Sequence, residues 1–152
     1  MMKQPRITRL AALCAVLAAL ALPGSAAASR SQQTMVQDDS HLIFSGADTR
    51  RATLDEMQRL GVDIVKVRVD WRALAPSPEA NSKPGGFSGE SPGEYGDRFA
   101  PYDEAISGAQ ARGMRVLVQL GGAAPDWGKS SRNGPDPVEF GRFVRATAVQ
   151  RE

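Results

Sequence analysis

One run of eight residues, from Ile64 to Trp71, constrains the fold of this chain more than any other segment. In an extended strand, successive side chains point to opposite faces. One face would carry Val65, Val67, Val69 and Trp71, and the other would carry Ile64, Lys66, Arg68 and Asp70. Helices cover both faces of an open doubly wound sheet, whose strands tend to be apolar throughout. The interior of a parallel barrel suits a charged face better; the alternative is an edge strand with one solvated face.

A strand–helix unit precedes this run. We predict a weak first strand at His41–Ser45, followed by a helix that begins at the capping box Thr53-Leu54-Asp55-Glu56. Gly61 stands where a helix commonly ends in a left-handed residue. A second helix follows the central strand.

The third unit shows the same kinds of signal. Pro101 suits the first turn of the second helix, which ends at Arg112-Gly113. A third strand follows at Arg115–Leu120, and Asp136 can cap a last helix that starts at Pro137.

These units predict an α/β chain, the first three strand–helix units of a (β/α)8 TIM barrel. Eight units would need about 300 residues, the usual size of such barrels, whereas the chain has 152. We therefore expect residues 41–152 to be the N-terminal fragment of a larger barrel.

The N-terminus has the organisation of a secretory signal peptide, which we place at residues 1–28. Three basic residues precede an apolar run, Leu10–Leu22, and the small residues Ser25–Ala28 suit cleavage after Ala28. The alternative, a transmembrane anchor, needs about 20 apolar residues. Residues 29–40 would be a flexible leader. The mature chain is therefore expected outside the cytoplasm, secreted, and without a membrane segment.

Removing the signal peptide changes the chemistry of the chain. The formal charge falls from +2 to −1, because Lys3, Arg6 and Arg9 belong to the signal. The mature chain then lacks the clustered basic residues that nucleic-acid binding needs. The mature chain also lacks Cys14, the single cysteine of the sequence. Its one histidine, His41, cannot build a multi-histidine metal site. We predict no cofactor, no metal and no nucleic-acid partner; the residues do not indicate an oligomeric state.

The segment Ala75–Arg98 is rich in Pro, Gly and Ser and predicts a long loop at the carboxyl end of the central strand, where barrel enzymes build their sites. It contains Gly89-Glu90-Ser91-Pro92-Gly93, a formal match to the nucleophile elbow of hydrolases. That elbow needs a buried strand before the serine and a helix after it. Both flanks here are predicted loop, so we reject this interpretation.

The order of several motifs resembles the opening of a retaining glycoside hydrolase of the large cellulase and β-galactosidase clan. These motifs are Leu60-Gly61 before a strand that contains Arg68 and Trp71, then Pro76, then Ala109-Gln110-Ala111-Arg112-Gly113 before a hydrophobic strand, then Pro125-Asp126-Trp127. The resemblance covers about residues 41–145. It implies hydrolysis of O-glycosidic bonds in a carbohydrate substrate by a double displacement.

The resemblance also implies roles for single residues. Arg68 would orient the nucleophilic carboxylate, and Trp71 and Trp127 would stack on sugar rings; alternatively, Trp71 packs beneath a helix. Asp70 lies on the same rim as a substrate-binding candidate. Neither Asp70 nor Asp126 is predicted to be catalytic.

The catalytic pair itself is absent. Retaining glycosidases need two carboxylates about 5–5.5 Å apart. The resemblance implies that these are glutamates at the ends of strands four and seven, and that an asparagine precedes the first of them. The sequence contains no Asn-Glu pair. We therefore predict a chain that is inactive alone. The alternatives are a non-catalytic extracellular carbohydrate-binding module and a barrel enzyme of another class.

Overall fold

We describe the protein from a computed structural model, which covers residues 32–130 and 134–149. The predicted signal peptide lies outside these ranges. From Gln33 onward the chain forms one compact unit. Its strands are β1 (Met35–Val36), β2 (Ile64–Asp70) and β3 (Arg115–Gly121), and its α-helices are α1 (Ala47–Arg59), α2 (Trp71–Leu74), α3 (Ala100–Ala111) and α4 (Pro137–Val149). One π-helical turn (Ser40–Phe44) and two 3-10 segments (Pro92–Phe99 and Asp126–Gly128) complete the described elements.

The three strands form a parallel sheet in the order β1-β2-β3. Ile64 of β2 lies between Met35 and Arg115, and the pairing with β3 continues to Asp70 beside Gly121. The protein is therefore a mixed α/β structure with a small parallel sheet, and β2 is its central strand.

One face of the sheet is buried, as the alternation in β2 predicts. Val65, Val67 and Val69 are fully buried, and α3 packs on β2 and β3 above them. Because α1 packs on α3, Leu54 and Ala105 enter the same hydrophobic core. The predicted apolar face is confirmed.

The predicted first strand at His41–Ser45 is wrong. The strand is β1, inside the segment predicted as a flexible leader, and Ser40–Phe44 is a single π-helical turn. The reason is that Leu42 and Ile43 are neighbours and both are buried. A strand would send adjacent side chains to opposite faces, whereas the turn places both against α1 and α3.

The first helix also begins earlier than predicted. It starts at Ala47, after Gly46, and the hydroxyl of Thr53 donates to the carbonyl of Thr49 one turn back instead of capping the helix. Its predicted end is confirmed, since Gly61 has a φ of 73°.

The boundaries of β2, β3 and α3, and the start of α4, agree with the sequence to within a residue or two, whereas α2 and the 3-10 segment inside the predicted loop Ala75–Arg98 were not predicted. β2 ends at Asp70, one residue early, because the Asp70 carboxylate accepts the Ala73 N–H and starts α2. Pro101 lies in the first turn of α3. Asp136 caps α4 by accepting the N–H groups of Val138 and Glu139 at 2.9 and 3.0 Å.

No helix in the described part of the chain combines the length and apolarity needed to cross a membrane.

Two helix-interior glycines provide a test of the packing between α1 and α3. A Cβ on Gly108 of α3 would lie 2.8 Å from Cδ1 of buried Leu54, whereas one on Gly141 of α4 would meet nothing within 4 Å. Gly141→Ala should therefore raise the free energy of unfolding by about 0.5–1 kcal/mol. Gly108→Ala should instead lower it, by about 1–3 kcal/mol, because the added methyl overpacks the core.

Urea denaturation of both variants beside the unmodified chain measures these changes. Equal stabilisation by the two substitutions would contradict the close contact between Gly108 and Leu54.

Candidate functional site

The face of the sheet opposite α3 is open in the described part of the chain. Met35 and Leu117 on this face are 48% and 45% exposed. Parallel sheets are normally covered on both faces. A solvent-exposed face of a parallel sheet is therefore the most unusual surface of this structure.

Polar side chains lie along the middle and carboxyl-terminal part of this open face and just after β1. We call them the rim cluster: Gln37, Asp39, Lys66, Arg68, Asp70 and Gln119. Gln119 lies beside Arg68 in the pairing of β2 with β3. Gln37 donates from Nε2 to Oδ2 of Asp39 at 2.6 Å, and the same oxygen lies 3.8 Å from Nε of Arg68. Three strands thus contribute to one polar surface.

Arg68 is the exposed centre of the rim cluster. Its side chain is 45% exposed and lies between two carboxylates, with Nε 3.8 Å from Asp39 and Nη2 3.9 Å from Asp70. At these distances the two contacts are ion pairs rather than hydrogen bonds. Arg68 therefore lies towards the carboxyl end of β2, and its guanidinium remains accessible to a ligand.

Asp70 divides its carboxylate between structure and rim. Oδ1 accepts the Ala73 N–H at 3.1 Å, and Oδ2 faces Arg68. The group also lies directly against Gly122, which has a φ of 86°; a Cβ there would be 2.4 Å from Cγ of Asp70. Oδ1 of Asp70 therefore caps α2, and only Oδ2 is available to a ligand.

Trp71 is a core residue, not a sugar platform. Only 1% of it is exposed, and its ring stacks on Phe143 of α4 at 5.8 Å between centroids. Phe140 and Trp127 contact the same ring from other sides. The structure thus corresponds to the alternative in which Trp71 packs beneath a helix, and no ring face is left for a sugar.

Trp127 is half-buried and connects two loops. Its Nε1 donates to the carbonyl of Pro76 at 3.0 Å, its ring meets Phe87 edge-on, and Nζ of Lys83 lies 5.7 Å from the ring centroid. A cation over an aromatic face is a favourable contact. Sugar stacking on that face would have to displace Lys83.

Asp126 is held as an anion next to Trp127. Both of its carboxylate oxygens accept from Arg72 at 3.2 Å, and Lys129 donates to Oδ1 at 2.5 Å. The hydrogen bonds from Arg72, and then those from Lys129, lower the pKa of Asp126 to about 2. The group fastens the loop after β3 and has no proton to donate at neutral pH.

The long loop after α2 is organised around Glu94. The carboxylate accepts four consecutive main-chain N–H groups, from Ser88 to Ser91, at 2.6–3.1 Å, and the Ser88 hydroxyl at 2.7 Å. These bonds, the Ser88 hydroxyl foremost, lower the pKa of Glu94 to about 2. Ser91 starts a 3-10 segment with loop before it, so it lacks the preceding strand of a nucleophile elbow.

Ion pairs attach the same loop to α4. Nζ of Lys83 lies 2.5 Å from Glu139, and Glu90 lies 3.4 and 3.3 Å from Arg142 and Arg145. The loop is therefore packed against α4, beside the aromatic side chains that surround Trp71.

Gln119 was not singled out as a site residue from the sequence, and Gln37 and Asp39 were missed altogether. Both belong to the segment predicted as a leader, because two residues of strand give almost no periodic signal. In the described residues no group of three or more His, Cys, Asp or Glu side chains could hold a metal ion.

No family model, curated protein or solved structure matches this chain. Its family membership is therefore a proposal, supported by the residues and their geometry.

The contact between Asp70 and Gly122 gives a first prediction for the site. Gly122→Ala should destabilise the chain by about 1 kcal/mol more than Gly113→Ala. Both glycines have a positive φ, 86° and 78°, but a Cβ on Gly113 meets nothing within 4 Å. The control therefore measures the conformational penalty of about 1–2 kcal/mol, and the excess measures displacement of the Asp70 cap. Urea denaturation gives both values; equal losses would show that Asp70 moves aside freely.

The Glu94 hub gives a second prediction, on pH. A depressed pKa means that the carboxylate contributes stability above its ordinary pKa of 4.5 and loses it as the pH falls towards about 2. The stability difference between the unmodified chain and Glu94→Gln should therefore be constant above pH 5 and shrink between pH 4.5 and pH 2. Thermal unfolding across this range measures it. A difference that does not change in this window would mean that the amides do not recognise the charge.

Proposed function

We propose that this chain is the N-terminal part of an exported retaining glycoside hydrolase, the first three strand–helix units of a (β/α)8 barrel, and that its rim cluster binds carbohydrate. The observation that carries the proposal is the exposed Arg68 guanidinium between two carboxylates at the carboxyl ends of parallel strands. In barrel enzymes this end of the strands is where active sites lie.

The open sheet face supports the barrel. It carries apolar side chains, Met35, Ile64 and Leu117, together with charged ones, Arg115 at the start of β3 and Arg68 and Asp70 towards the end of β2. A barrel interior combines the same two kinds of side chain, since apolar ones fill its middle and polar groups line its catalytic rim. The face would be covered once further strands closed the barrel.

The chemistry of the rim cluster supports carbohydrate. Two carboxylates, two amides and two cations present both acceptors and donors, as sugar hydroxyls require. The cluster is formally neutral, because Lys66 and Arg68 balance Asp39 and Asp70. A neutral polyhydroxylated ligand fits this balance better than a strongly charged one.

Catalysis would need groups beyond those described. Asp70 caps α2 and Asp126 is bound by Arg72 and Lys129, so neither is free to act as acid or nucleophile. In the proposed enzyme, Arg68 would hold a nucleophilic glutamate from a later strand. The chain alone would then bind sugar without cleaving it.

A non-catalytic carbohydrate-binding module is the second candidate, because the rim cluster alone would suffice for binding. The expected stacking of sugar on tryptophan is less well supported, since Trp71 is buried and Lys83 lies over Trp127.

Binding and hydrolysis assays on residues 29–152 test the proposal. Cello-, xylo- and manno-oligosaccharides, titrated by NMR, should include one that binds, and Arg68→Met should weaken that binding about tenfold, a loss of one charge-assisted hydrogen bond. Arg51→Met, which removes an exposed cation from α1, is the matched control and should have no effect. Aryl glycosides should not be hydrolysed.

Two results would overturn the proposal. One is the absence of binding to every saccharide in the panel. The other is hydrolysis that Asp70→Asn or Asp126→Asn abolishes, because those carboxylates would then be catalytic in this chain. A cooperative unfolding transition with binding and no hydrolysis would favour the non-catalytic module.

A further inference from the structure

We infer that Asp39 is the positioning residue of the rim cluster: it orients the Arg68 guanidinium so that Nη1 is presented to a ligand oxygen. This inference rests on the proposed function for the identity of the ligand, but the orientation of Arg68 can be measured without any ligand.

Asp39 approaches Arg68 at two places. Oδ1 accepts the main-chain N–H of Arg68 at 3.2 Å, and Oδ2 lies 3.8 Å from Nε of the same residue. Its side chain is only 14% exposed, and Gln37 donates to Oδ2 at 2.6 Å. Two hydrogen bonds and one ion pair thus hold the carboxylate, and Arg68 takes part in one of each.

The position of Asp39 makes this arrangement notable. It directly precedes the π-helical turn Ser40–Phe44, where an aspartate usually caps the following backbone N–H groups. Asp39 makes no such bond; its neighbour Asp38 accepts the His41 N–H instead. The Asp39 carboxylate is turned away from its own helix and towards the rim.

The result is a guanidinium with one end committed and one end available. Nε faces Asp39 and Nη2 faces Asp70, and Nη1 has no partner among the described residues. Without carboxylates on both sides, a long side chain on an open sheet face would sample many rotamers, and ordering it on binding would cost conformational entropy. Asp39 would reduce that cost in advance.

A merely structural role is the rival explanation, because the bond to the Arg68 N–H also joins the chain after β1 to β2. Asp63 provides the matched control. Its carboxylate joins the other end of the same strand pair by accepting the Thr34 N–H at 2.8 Å, and it makes no contact with Arg68. Asp39→Asn keeps an oxygen acceptor and removes the charge; Asp63→Asn does the same at the control position.

The experiment records the arginine Nε–Hε signals of residues 29–152 by ¹⁵N NMR, with the Arg68 signal assigned by its absence in Arg68→Lys. In Asp39→Asn the Arg68 Nε–Hε group should become more mobile, with a lower heteronuclear NOE and a shifted signal, whereas Asp63→Asn should leave both unchanged. Both variants should lose similar amounts of thermal stability. An unchanged Arg68 signal in Asp39→Asn would overturn the inference.

Titration of the saccharide that binds the unmodified chain then separates the two proposals. Asp39→Asn should bind it about tenfold more weakly and Asp63→Asn equally well. If saccharide binds but Asp39→Asn has full affinity, Asp39 is structural and the proposed function stands. If no saccharide binds, the proposed function fails, and the Arg68 signal still decides whether Asp39 positions the guanidinium.

Discussion

The alternation of side chains along β2 is the constraint on which the rest of this structure depends. β2 pairs on both edges, so its two faces become the two faces of the sheet. Its valines recruit α3 and, through α3, helix α1. Its charged residues cannot be buried without partners, because an uncompensated charge in a core is strongly destabilising. The strand therefore determines which side carries the core and which side stays polar.

The end of β2 is where this division becomes a site. Asp70 stops the strand, caps α2 and turns Trp71 back towards the core, where Phe140 and Phe143 enclose it. The Arg72–Asp126 pair then ties the loop after β3 to this corner. Charged groups on one side of the corner hold loops together, while Arg68 on the other side remains exposed. Four positions along the chain separate Arg68, the functional candidate, from Arg72, which belongs to a structural arginine–aspartate pair.

Local sequence patterns predicted the strand and the helix ends that depend on neighbouring residues alone. Period-two alternation located β2 and its buried face, and Asp136 and Gly61 marked helix ends by chemistry confined to a few residues. The first strand was missed because two residues carry no period, and Asp39 was missed because its partner, Arg68, lies 29 positions away. The sugar-platform role of Trp71 fails for the same reason. Its burial depends on Phe140 and Phe143 of α4, which no pattern around Trp71 reveals.

The rim cluster also explains why a polar surface can persist on a parallel sheet. Its formal charges balance, Arg68 lies between two carboxylates, and Asp39 and Asp70 lie far enough from Arg68 to leave donors unclaimed. At shorter distances the carboxylates would occupy the guanidinium donors, as Asp126 and Glu79 occupy those of Arg72. Greater distances would leave it unrestrained. Spacing near 4 Å restrains the guanidinium and leaves its donors unclaimed, as the proposed binding of a ligand would require.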